Sequence, residues 1–343
     1  MNRCNCGCWA ALVAVALLVM AGGCEPLGDD RGEVVVYTSL DQQLSEPILR
    51  EYERTSRVKT RIVYDTEATK TTGLVNRLLA EKNAPRADVF WNSEMVRTIV
   101  LKRAGVLAPY RSPSAADIPE QFKDPAGYWA GFAARVRVLA VNTSLLTPQE
   151  WPKSFNDLVR PEWRGRFSMA YPLFGTTATH AAALFAVWGP ERTKAWLRGL
   201  VENGADVVDG NSTARDRVVA GSVPVAMTDS DDVAVARSQG HSIAMVFPDA
   251  QGQGTLVIPN TVALIAGAPH PAAGKALIDH LLSPEVERAL SEAGGAQIPL
   301  RKQVPWPAAL PPRETLRPMP VNFEAVADHL EASAAFCREV FVR

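Results

Sequence analysis

The sequence predicts an α/β protein of two lobes, each a mainly parallel sheet flanked by helices, with two crossing strands joining them. Three observations carry this. Short β-branched runs alternate with stretches of helical spacing from residue 33 to residue 107, the pattern of a parallel sheet covered on both faces. A similar alternation resumes at residue 165. Two longer apolar runs, RVRVLAVNTS (135–144) and GTLVIPNTVALIAG (254–267), are long enough to pass from lobe to lobe.

EVVVYTSL (33–40) is a buried strand ending in hydroxyls. DQQLSEPILREYERTS (41–56) sets Leu44, Ile48, Leu49 and Tyr52 on one helical face. KTRIVYD (59–65) is the second strand and TKTTGLVNRLLAEKN (69–83) the second helix. ADVFWNSE (87–94) and MVRTIVLKRAGVL (95–107) repeat the pair. Ligands of such sheets bind beyond the carboxyl ends of the strands, which here carry Thr38, Ser39 and Asp41, then 65–67, then Asn92 to Glu94. A loop-rich stretch, SPSAADIPEQFKDPAGYWAGFA, precedes the first crossing strand. In the second lobe GRFSMAYP (165–172), ADVVDG (205–210), VPVAMTD (223–229) and IAMVFPD read as strands. Helices lie between the first three, in TTATHAAALFAVWG, ERTKAWLRGLVEN and STARDRVVAG. PAAGKALIDHLLSPEVERALSEAGG (271–295) supplies two more, and the amphipathic tail a last one. The expected lobes are 33–137 with 262–312, and 138–261 with 313–343.

Residues 1–23 have the layout of a secretory signal: one basic residue, Arg3, an apolar stretch from Trp9 to Met20, then small residues. The ending AGGC resembles a bacterial lipobox, which would make Cys24 the acylated new N-terminus and 24–32 a short polar tether. An ordinary cleaved signal with a stray cysteine is the alternative. The expectation is a soluble protein of the periplasm or cell envelope that touches the membrane only through its lipid. Removing the leader from 343 residues leaves 320, with 35 basic residues against 37 acidic. A balance so near neutrality speaks against a nucleic-acid partner. Cys337 is then the lone free thiol, so neither a disulfide framework nor a cysteine metal site is expected.

Enzyme signatures are absent: no G-x-S-x-G, P-loop or H-E-x-x-H occurs. Polar residues recur at strand ends instead. FGTTATH (174–180) puts Thr176 and Thr177 at a helix start, where backbone N–H groups and hydroxyls can seat an anion, although one hydroxyl alone would serve as a cap. DGNSTARD repeats the arrangement with Asn211, and capping explains it equally well. His180, on an alanine-rich face, reads as a packed residue more than a ligand. In TDSDD, Asp229 with Asp232 three residues on resembles a capping box, which leaves Asp231 surplus at the expected cleft. Asp41 and Glu94 end strands opposite it. Carboxylates converging from two lobes repel unless a cation joins them, and oxygen-rich sites suit hard cations. An organic cation such as a polyamine would meet the same electrostatics.

VVVYTSLDQQ, ADVFWNSEMVRTIVLKRAGVLAPY, RVRVLAVNTSLL, PEWRGRFSMAYPLFGTTATH and GSVPVAMTDSDDVAVA together resemble the solute-binding proteins of ATP-driven (ABC) importers, over nearly all of the chain beyond the leader. The likeness is strongest to the ferric-ion-binding branch, which has the type II periplasmic-binding fold. That resemblance implies a metal held by Asp41, where the branch carries a histidine, by Glu94, where it carries a glutamate, and by Asp231 with Asp229. The branch's tyrosine pair falls on Ser230 and Asp231 and is missing. It also implies an anion seat from Thr176, Thr177, Asn211 and Thr228, with Arg137 close by and Thr38, Ser39 and Ser230 on the rim. The implied function is capture of ferric iron or another hard cation, with carbonate or phosphate, for a membrane permease and its ATPase. The protein is expected to be monomeric and not an enzyme. A phosphonate or phosphorylated solute held without metal, or an organic cation, is the alternative reading; a secreted hydrolase is a remote third.

Overall fold

The computed structural model describes residues 32–65 and 71–341. The leader, Cys24 and nearly all of the tether lie outside the described residues, as do 66 and 67 of the second strand end. β1 (Glu33–Thr38) is followed by α1 (Gln42–Ser56), β2 (Lys59–Tyr64), α2 (Thr72–Ala80), β3 (Val89–Asn92), α3 (Val96–Arg103) and the short β4 (Leu107–Ala108). The first crossing strand, β5 (Ala130–Asn142), leads to β6 (Phe167–Ala170), α4 (Gly175–Trp188), α5 (Pro190–Glu202), β7 (Asp206–Val208) and α6 (Asn211–Val219). Next come β8 (Val225–Asp229), α7 (Ser230–Ser238) and β9 (Ile243–Val246). The second crossing strand, β10 (Val257–Ile265), precedes α8 (Pro271–Leu281), α9 (Pro284–Glu292) and α10 (Phe323–Val340).

The strand order is β2-β1-β3-β10-β5-β8-β6-β7, with β4 also on β10 and β9 also on β5. β1, β2 and β3 pair in parallel, as do β6, β7 and β8, whereas β5 and β10 run antiparallel to their neighbours. The two crossing strands are therefore the central seam between two parallel blocks. β5 begins at Ala130, five residues before the expected start, inside the stretch read as loop. Its first part is irregular: Ala133 has φ +38°, and the partner register shifts at Pro259/Asn260. That irregularity interrupts the period-2 pattern by which strands are read.

Each face of the sheet carries one apolar layer. Tyr37, Phe90, Leu139, Met169, Met227 and Ile258 belong to one, covered by α3, α4 and α10. Val36, Trp91, Phe132, Val138, Ala226 and Leu264 belong to the other. α10 lies against α3 and also against α4 and α5, so the tail helix bridges the two blocks. Its Cys337 is fully buried, and burial pushes the thiol up to about 12. Only the thiolate alkylates, so peptide mapping after iodoacetamide treatment at pH 8 is expected to find Cys337 unmodified in native protein and modified after denaturation.

Candidate functional site

A narrow cleft opens where the strand ends of both blocks face each other. The first block contributes Asp41 and Ser93, and β5 contributes Arg135. The second contributes Gly175 and Thr176 at the start of α4, Asn211 at the start of α6, and Asp229, Asp231 and Asp232 at the β8–α7 junction. About 20 Å³ is open to water, room for one small group. A larger cavity of about 350 Å³ lies between Tyr110 and Ala130 in the first block. It is lined by the start of β5 at Ala130 but by no carboxyl end of a parallel strand, whereas four helix starts and four carboxylates meet at the small cleft, which makes the cleft the candidate site.

Asp229 occupies the N-cap position of α7, but its side chain makes no capping bond. The carboxylate turns instead to Arg137, whose Nη1 donates to Oδ1 at 2.7 Å. Asn211 Nδ2 donates to Oδ2 at 3.0 Å, and the Thr176 hydroxyl donates to the same oxygen. Asp232 also departs from the capping-box reading: its Oδ2 accepts from Thr228 at 2.9 Å, and it lines the cleft. Asp231 faces Arg135 Nε at 3.2 Å, an ion pair without hydrogen-bond alignment, and accepts from Gln297 Nε2 at 3.2 Å. Ligand oxygens of Asp229, Asp231 and Asp232 all lie within 4.8 Å of one another.

Burial lifts the Asp231 carboxyl above the ordinary range against the pull of Arg135, and the neighbouring charges of Asp229 and Asp41 add to the lift. Burial would lower Arg135, but Asp231, Asp229, Asp41 and Asp232 around it outweigh burial and hold it above its usual value. The crowded carboxylates push both groups up, while burial adds to the rise of Asp231 and opposes that of Arg135.

Glu94 does not line the cleft; Ser93 does. The Glu94 carboxylate is fully buried and folds onto the start of α3, accepting from Val96 N at 2.6 Å and Arg97 N at 3.0 Å. It also accepts from Thr179 Oγ1 of α4 at 2.9 Å, a contact between the two blocks. A carboxylate at a helix start satisfies free N–H groups and the dipole together, which explains its turn away from the solute space. Thr38 accepts from Leu40 N, and the Ser39 hydroxyl donates to Asn92, so both act behind the rim. Thr177 donates to Asn211 and Ser230 accepts from Val136 N. His180 is buried between the rings of Phe155 and Trp196 and held well below its usual value by burial, as a packed residue would be.

Arg135 is the cleft residue that sequence reasoning missed. Its signal was present in RVRV: alternate residues of a strand share a face, so Arg135 belongs with Arg137. Asn260 and Gln297, which tie Arg135 and Asp231 together from β10 and the loop after α9, carry no local signal.

The family model described as bacterial extracellular solute-binding protein matches residues 94–323. Iron uptake protein A2 of Synechocystis sp. is 27% identical over 286 residues, which cover 78% of this chain and 80% of that protein. Iron-bound HitA from Pseudomonas aeruginosa has the same two-lobed fold, with a TM-score of 0.81 and 24% identity over 90% of this chain and 99% of that one. AfuA from Actinobacillus pleuropneumoniae, solved with fructose-6-phosphate bound, gives a TM-score of 0.80 and 23% identity over 90% and 98% of the two chains.

Proposed function

The chain belongs to the bacterial extracellular solute-binding proteins, and from that premise we propose that it captures a hard cation, ferric iron foremost, together with an anion, between its two lobes. The charge count at the cleft carries this reading. Four carboxylates, Asp41, Asp229, Asp231 and Asp232, gather around two guanidiniums, Arg135 and Arg137, among the described residues, an arrangement whose electrostatics favour a cation. Oxygen donors so close together suit a hard ion. Relatives named for iron uptake and ferric binding point the same way. Against a phosphorylated solute stands the engagement of Arg137, Thr176 and Asn211 with Asp229, since these are the donors a phosphate would need.

In this reading the lobes are 33–137 with 262–312 and 138–261 with 313–343, and they close by a hinge in the crossing strands near 135–142 and 256–264. A signal over 1–23, a lipid on Cys24 and delivery by a monomeric receptor to an ABC permease complete it. The role is binding and release, with no turnover. Asp41, Asp231 and Asp232 are the cation's oxygen donors; Glu94 is a lobe-to-lobe contact.

Elemental analysis and thermal-shift titration test this. A ligand at a hundred times its Kd stabilises by about 2.7 kcal/mol, so ferric ion is expected to raise Tm by several degrees. Among the described residues no tyrosine lines the cleft, so the iron-loaded protein is expected to lack an intense phenolate-to-iron band in the visible. Shifts with organophosphates and none with any metal would end the cation reading.

A further inference from the structure

The donors that sequence and resemblance assign to an external anion converge on a carboxylate of the chain itself. Arg137, fully buried on β5, uses its Nη1 for Asp229 Oδ1 at 2.7 Å, Asn211 Oδ1 at 3.0 Å and Thr176 Oγ1 at 3.1 Å. Thr176 and Asn211 in turn donate to Asp229 Oδ2. Thr177 steadies Asn211 from the next position of α4 at 3.0 Å. The arrangement has the chemistry of a small-anion seat: one guanidinium, one hydroxyl and one amide at paired helix starts. Its occupant is covalently attached. We infer that Asp229 is a built-in counter-anion, so that this protein captures its cation without carbonate, phosphate or any other anion from solution.

The argument is one of occupancy and charge. To use the three donors that the two oxygens of Asp229 already hold, an exogenous anion would have to displace a tethered carboxylate at the effective concentration of an intramolecular group. It would also add negative charge beside Asp231 and Asp232, whose oxygens lie within 4.8 Å of those of Asp229. Among the described residues Arg137 Nε and Nη2 have no partner; an anion taken up there would be added beside Asp229 rather than in its place, and the formate dependence of the wild type measures it. The inference rests on the cation reading of the cleft.

The test uses the full chain and terbium(III) chloride, a hard trivalent ion that needs no anionic chelator, followed by calorimetry in carbonate-free and phosphate-free buffer. The wild type is expected to bind terbium equally well with and without added formate. Asp229→Ala is expected to bind about tenfold more weakly without formate and to recover when formate fills the vacated place. Asp229→Asn keeps the shape and loses the charge; it is expected to be weakened by a similar factor and not rescued. Wild-type binding that appears only with formate overturns the inference while leaving the cation reading intact. An Asp229→Ala protein that is folded by circular dichroism yet binds like wild type, or is not restored by formate, overturns it too. Should Asp229→Ala not fold, unchanged affinity in Asp229→Asn does the same. No binding of terbium by the wild type under either condition removes the cation reading itself.

Discussion

Asp231→Asn is expected to abolish cation capture and, in the same step, to leave the empty protein at least as stable as the wild type. The first effect follows from position: Asp231 lies in the cleft between Arg135 and the other acids and supplies charge that a neutral amide cannot. The second follows from its surroundings. Burial and the charges of Asp229 and Asp41 lift the Asp231 carboxyl against the pull of Arg135, so the ionised side chain is disfavoured in the folded chain and a neutral amide relieves that cost. Arg135 keeps Asp229, Asp41 and Asp232 around it and is not left without compensating charge. A Tm of the empty protein equal to or above that of the wild type, with no shift on adding ferric ion, is the expected reading. An Asp231→Asn protein still shifted by ferric ion would remove the first claim, and one whose empty form melts well below the wild type would remove the second.

Glu287→Gln is expected to cost more stability than any change in the cleft. Glu287 reaches from α9 to the irregular start of β5, where its Oε1 accepts from Ala133 N at 3.0 Å and Leu300 N at 2.7 Å. Its Oε2 accepts from Arg301 N and from Arg301 Nη1, both at 3.3 Å. Neither the Glu287 nor the Arg301 side chain is exposed. The amide of glutamine turns a donor toward donors and leaves Arg301 with Asp117 as its remaining carboxylate. About 4 kcal/mol is the expected loss, measured by urea denaturation. The Ala133 backbone is held at positive φ, a conformation a non-glycine residue keeps only where its surroundings enforce it. A loss under about 1 kcal/mol would mean that Glu287 does not hold that segment.

Local periodicity is what made most of the fold legible. α1 fills its expected span because Leu44, Leu49 and Tyr52 repeat at helical spacing and are buried together; β1 and β3 are short β-branched or aromatic runs buried along nearly their whole length. The start of β5 was hidden because Gly131 and Ala133 break the alternation. At the site, sequence placed Asp41, Asp231, Thr176 and Asn211 at strand and helix ends, and the structure brings these four to one cleft. It could not settle which way a carboxylate turns. TDSDD reads as a capping box because capping is local, whereas Arg137, which draws Asp229 away, is 92 positions distant. Glu94 shows the converse: a residue read as reaching outward serves the helix that begins two positions later.

The place of β10 in the sheet decides the order in which the protein can be finished. It inserts between β3 and β5, pairing Leu264 with Val89 and Val257 with Val136. Until the chain has been made as far as residue 265, the block that begins first has an open edge at β3, while all of β5 to β9 already exists to assemble on its own. Contacts of such sequence separation form slowly, so the sheet begun first is the sheet closed last. A newly made chain therefore carries its first sheet unsealed, with the β3 edge open, until residue 265 has been made.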